Sequence, residues 1–171
     1  MKDNEVYAPN FEPGEQVALV RYPHGGTFEI PILTVNNKQK DAKKLLGNNP
    51  ADAICINSKV AERLSGADFD GDTVMVIPTG GKVKITSTPP LKGLEGFDPK
   101  LEYGGKKEGT FRLMKNTQTE MGKASNLITD MTLKGATQDE LAKAVRHSMV
   151  VIDAEKHKLD YKQSELDNDI A

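Results

Sequence analysis

One cysteine and no tryptophan occur in 171 residues. A disulfide scaffold is therefore excluded, and the fold must rest on a hydrophobic core of a size this length can build. The cysteine, Cys55, sits in the apolar run Ala53-Ile54-Cys55-Ile56 and reads as a buried, inert thiol. No apolar run approaches the roughly 20 residues of a membrane-spanning helix, and Met1-Lys2-Asp3-Asn4-Glu5 lacks the basic-then-apolar start of a signal peptide. A cytoplasmic protein without membrane contact is the expectation. An excess of positive charge is also missing: the net charge is -2 and the pI about 6.0, so any nucleic-acid binding must be local. Basic residues gather at Lys38, Lys40, Lys43 and Lys44, and at Lys100, Lys106, Lys107, Arg112 and Lys115. Acids interrupt each group, which suits a solvated face. The chain has no repeat, no low-complexity tract and no convincing His or Cys constellation.

What is present reads as strands first and helices afterwards, an α+β pattern rather than a doubly wound sheet. Residues 1–14, ending in Pro13-Gly14, form an irregular lead-in. Gln16 to Arg21 and Thr27 to Val35 are apolar and β-branched and flank the turn Pro23-His24-Gly25-Gly26, as a hairpin or as two crossing strands. A short helix is expected within Asn36 to Leu46, a buried strand over Ala53 to Asn57, helical turns over Lys59 to Leu64 and a strand over Thr73 to Pro78. Alternating Lys82 to Thr86 predicts an edge strand closing a unit over 15–87. The Pro- and Gly-rich 88–116 reads as a loop or linker. Helices follow over Thr117 to Lys134 and Gln138 to His157, within a helical region 117–160, the second opening on the capping-box pattern Thr137-Gln138-Asp139-Glu140. The polar tail 161–171 is expected to fray.

The chemistry concentrates in Gly66-Ala67-Asp68-Phe69-Asp70-Gly71-Asp72. Side chains two apart in extended backbone can point the same way, so Asp68, Asp70 and Asp72 can converge. Three clustered carboxylates repel one another, a cost that a divalent cation removes, and all-oxygen ligation suits Mg²⁺, with Mn²⁺ able to replace it, or Ca²⁺. Gly71 permits the bend around such an ion, and Gly66 with Ala67 leaves room for a substrate. A calcium EF-hand fails, because Thr73 and Thr79 stand where its glycine and bidentate glutamate belong. A haloacid-dehalogenase-type phosphatase needs an apolar strand before its first aspartate, whereas Ala61-Glu62-Arg63-Leu64 leads in here and the apolar strand follows. A solvated acidic turn explains Gly71 but not the three spaced aspartates.

The remaining reading rests on several motifs. Ser65-Gly66-Ala67-Asp68-Phe69-Asp70-Gly71-Asp72 resembles the catalytic loop of the two-barrel RNA polymerases, both the Ser-Gly-x-Asp-Leu-Asp-Gly-Asp of the RNA-silencing RNA-dependent enzymes and the Asn-Ala-Asp-Phe-Asp-Gly-Asp of the largest multisubunit subunit. Val20-Arg21-Tyr22-Pro23-His24 is similar to the Arg-x-Pro segment upstream of that loop. Met121-Gly122-Lys123-Ala124-Ser125-Asn126 resembles the silencing enzymes' Leu-Gly-x-Ile-Ala-Asn, and Leu141-Ala142 with His147-Ser148 fits their Leu-Ala-x-Leu-His-Ser helix. The landmarks keep their order over about residues 17–157.

The resemblance implies a partial double-psi β-barrel carrying the metal loop, followed by C-terminal helices. It implies magnesium-dependent nucleotidyl transfer, with Asp68, Asp70 and Asp72 as catalytic metal ligands, and Arg21 contacting the ribose of an incoming nucleotide. The implied partners are a nucleic-acid template, nucleoside triphosphates, and a second, lysine-bearing barrel on this chain or another. Gly66 stands where the multisubunit enzymes place an asparagine near the sugar, His147 is expected to pack a helix, and Asp153 takes no role. Almost nothing precedes Gln16, so the first strands of the barrel are expected to be missing, as in a fragment, a split-gene product or a relic. The rivals from other classes are a non-catalytic module binding metal or nucleic acid, and a magnesium phosphohydrolase.

Overall fold

The computed structural model describes residues 1–22, 24–64, 67 and 72–170. The fold is mixed α+β, with a curled five-stranded sheet followed by helices. The chain divides into two compact units, Met1–Pro89 and Pro90–Ala171.

In the first unit, β1 (Glu5–Tyr7), β2 (Gln16–Val20), β3 (Ile32–Val35), β4 (Cys55–Ile56) and β5 (Met75–Pro78) lie in the order β4-β1-β3-β2-β5. Only β1 and β3 pair in parallel; the other neighbours are antiparallel. The β2–β3 pairing, Val17 opposite Leu33, decides for a hairpin. Strand alternation sorts the side chains. Val17 and Leu19 of β2 and Leu33 and Val35 of β3 join Val6, Ala8, Val60 and Leu64 in one core. Leu19 and Val60 are no more than 1% exposed, and a leucine so placed contributes about 1.5–3 kcal/mol over an exposed one. Helix α1 (Lys40–Leu46) buries only Ala42, which leaves Lys40, Lys43 and Lys44 on a solvated face. Helix α2 (Ser58–Arg63) starts where the Asn57 side chain accepts from the Lys59 amide at 2.9 Å.

Three expectations for this unit need correction. The lead-in is not irregular throughout, because β1 lies inside it and Val6, Tyr7 and Ala8 are buried. A strand thus does precede Gln16; its three apolar residues are too few to stand out among Asn, Glu and Pro. Thr27 to Val35 is not one strand: a 3-10 turn covers Thr27–Glu29, and β3 begins after Pro31, which has no N–H to give a ladder. Lys82 to Thr86 forms no strand. Gly80 and Gly81 adopt positive φ, and the Lys82 and Val83 amides fold back on Thr79 O at 3.1 and 2.9 Å.

The second unit is helical: α3 (Pro99–Tyr103), α4 (Thr117–Leu133), α5 (Gln138–His157) and α6 (Tyr161–Asp167), with α5 packed against the other three. The capping box at Thr137 and Glu140 is formed as expected. The 88–116 segment is more than a connector. Asp98 caps α3 by accepting from the Lys100 amide at 2.8 Å, and Phe97, Tyr103 and Met114 enter a core with Val150, Val151, Ala154 and Leu159. Nor does the tail fray over its described residues: α6 buries Ser164 fully, and Asn168 donates to Ser164 O at 2.9 Å. His147 packs a helix as expected, 5% exposed with Nδ1 3.1 Å from Ser164 Oγ. Among the described residues no helix is long and apolar enough to cross a membrane.

Candidate functional site

Strand register explains how Arg21 and Asp72 come together. β2 and β5 pair antiparallel with Leu19 opposite Val76 and Val20 opposite Met75. One further step sets Arg21 across from Val74. Leu19, Val74 and Val76 share the core-facing side of this pair, so alternation directs Arg21 and Asp72 to that side too, as diagonal neighbours within reach of a long side chain. The Arg21 Nε donates to Asp72 Oδ2 at 3.1 Å, with side chains 12% and 31% exposed.

Both flanks of the acidic segment are fastened to the same core. On one side Leu64 is buried, and Ala67, whose amide donates to Leu64 O at 2.8 Å, packs against the cluster. On the other side Val74 and Val76 pack there as β5 begins. Of the site residues expected from sequence, Arg21 and Asp72 are thus brought together, and Arg21 engages an aspartate of the loop itself. Asp68, Asp70, Gly66 and Gly71 lie outside the described residues, as does Pro23 of the Arg-x-Pro match.

Two charged residues that sequence reasoning passed over brace this end of the unit. Glu29, 3% exposed, accepts from the Gly25 amide at 2.7 Å and so ties the Gly25-Gly26 turn to the 3-10 helix. Arg63, the last residue of α2, donates to Thr88 O at 3.1 Å and Ser87 Oγ at 3.4 Å. Ser87 in turn donates to Ile30 O at 2.6 Å. Burial pulls the Arg63 pKa down from its usual value, without bringing a guanidinium near neutrality. A charged residue ending a helix has no periodic signature; only the acid four residues after Gly25 hinted at such a turn.

Among the described residues no three His, Cys, Asp or Glu side chains gather to hold a metal. Asp72 suits such a role chemically, because a carboxylate has two oxygens and lone pairs beyond the one Nε engages. Hard oxygen donors of this kind select Mg²⁺ or Mn²⁺ over softer metals. Cys55 is half-buried, and burial raises its thiol pKa, so it offers no thiolate for ligation or attack. No protein-family model, curated protein or solved structure matches the chain.

Proposed function

We propose that the chain supplies the magnesium-binding part of an RNA polymerase active site and works in nucleotidyl transfer. The observation that carries this reading is the placement of the Asp68–Asp72 segment. It joins α2 to β5, its flanks at Ala67 and Val74 are packed on one core, and its last aspartate is held by Arg21 from the neighbouring strand. A solvated acidic turn has no need of core anchors on both sides or of a cation reaching in from another strand. The mixed sheet, with one parallel pair among antiparallel ones, agrees with the partial double-psi barrel that the motif resemblance implies.

In this reading Asp68, Asp70 and Asp72 hold the cation, and Gly71 lets the backbone turn around it. Arg21 orients Asp72, and Gly66 leaves space for the substrate. A bound Mg²⁺ supplies Lewis-acid chemistry, making a 3'-hydroxyl more acidic and offsetting charge at the α-phosphate. The chain's own contribution is geometry and charge, which suits a site without a His or Cys base. Template strand, nucleoside triphosphates and a second barrel bearing lysines for the phosphates complete the proposed assembly.

The decisive variant is Asp70→Asn, assayed for Mn²⁺ binding by electron paramagnetic resonance and, with the lysine-bearing barrel supplied, for nucleotide incorporation. The expected result is loss of both with an unchanged circular dichroism spectrum. Undiminished incorporation by Asp70→Asn overturns the assignment.

A further inference from the structure

A cation approaching Asp72 meets one already there. The Arg21 guanidinium bonds Oδ2 through Nε at 3.1 Å, and both side chains are partly shielded from water. A guanidinium cannot shed its charge by losing a proton in a protein. A divalent ion sharing that carboxylate therefore works against a full positive charge close by, through a medium that screens less well than bulk water. Outer-shell partners that strengthen a metal site raise the basicity of the ligand. A charged donor does the reverse, drawing electron density from the oxygen it bonds.

We infer that Arg21 is a positioning residue that competes with the divalent cation for Asp72, so that this ion pair sets how tightly the site holds its metal. The inference rests on the reading of residues 68–72 as a metal loop, and goes beyond it in giving Arg21 a part before any substrate arrives. Arg21 compensates the Asp72 charge when no metal is bound and weakens the grip when one is. Because β2 and β5 fix the two backbones by their pairing, the competition is built into the sheet and needs no loop rearrangement.

The test is Mn²⁺ binding to the 171-residue chain, read by electron paramagnetic resonance and calorimetry, for the unaltered protein, Arg21→Gln, Arg21→Lys and Asp70→Asn. Arg21→Gln is expected to bind Mn²⁺ roughly fivefold tighter or more, the size of one partly exposed ion pair. Arg21→Lys, which keeps the charge, should stay near the unaltered protein, and the advantage of the glutamine variant should shrink as KCl is raised. Should the glutamine variant fail to melt cooperatively, Arg21→Met, which keeps the apolar stem, takes its place. Equal or weaker Mn²⁺ binding by the neutral variants, with Asp70→Asn still impaired, overturns the competition and leaves the metal loop standing. No Mn²⁺ binding by the unaltered chain, or binding unaffected by Asp70→Asn, overturns the metal loop and the competition with it.

Discussion

Arg21 Nε and Asp72 Oδ2 meet at 3.1 Å across 51 residues of sequence. The contact ties the end of one strand to the approach of its neighbour, at the place where the chain leaves its acidic loop. Replacing Asp72 with Asn keeps an acceptor for Nε and removes only the charge. With the carboxylate about a third exposed, the stability lost should be small, about 0.5–1 kcal/mol. Urea unfolding measures it; a loss of several kcal/mol would mean that the pair acts as a buried one.

The core beneath the loop should matter far more for stability than the pair above it. Leu19 is fully buried in the cluster that also receives Ala67 and Val74. Leu19→Ala should destabilise the first unit by about 2–5 kcal/mol through lost burial and a residual cavity. Leu45, 79% exposed on α1, serves as the control: Leu45→Ala should stay within about 0.5 kcal/mol. Hydrogen exchange should show the Ala67 amide, bonded to Leu64 O, losing protection in the Leu19 variant alone.

Long periodic segments were legible before any coordinates. Gln138–His157 was bounded by its capping box and its run of helix formers, and β2 by its apolar, β-branched residues. Elements that tertiary pairing creates were hidden. β1 has only Val6, Tyr7 and Ala8 as its signal, and it is a strand because β3 and β4 flank it. Lys82 to Thr86 shows the converse, since local alternation without a partner makes no strand. Likewise α6 looks solvated in sequence, yet Ser164 and Asn168 are buried because they bond one another and sit near Tyr103. At the candidate site, Arg21 and Asp72 were legible as residues, but their pairing depends on a register that no local pattern encodes.

The Thr137 cap offers a check on the helical unit. Thr137 Oγ1 accepts from the Glu140 amide at 3.3 Å, and the Thr137 amide donates to Glu140 Oε2 at 2.8 Å. These bonds, the backbone one foremost, hold the Glu140 carboxyl below its usual pKa. Thr137→Ala should cost about 1 kcal/mol of helix stability, read as a lower thermal midpoint. Exchange should quicken in the first turn of α5 while its last turn is unaffected.

His147 gives the same unit a pH dependence whose sign is fixed by burial. Burial lowers its pKa from the usual 6.5; Lys162 pushes the same way, while Glu165 and Glu120 oppose. Between the folded value and 6.5 the unfolded chain binds more protons than the folded one, so stability rises with pH across that window. The contribution is complete above the unfolded pKa, falls as acid is added, and levels off once both states are protonated. Nuclear magnetic resonance of the imidazole should give a midpoint below 6.5. Melting curves between about pH 7.5 and 5 should show the unaltered chain losing stability relative to His147→Gln, by no more than about 1.4 kcal/mol per pH unit. An imidazole that titrates at or above its usual value would mean that the neighbouring glutamates outweigh burial, and the slope between the two proteins would then vanish or reverse.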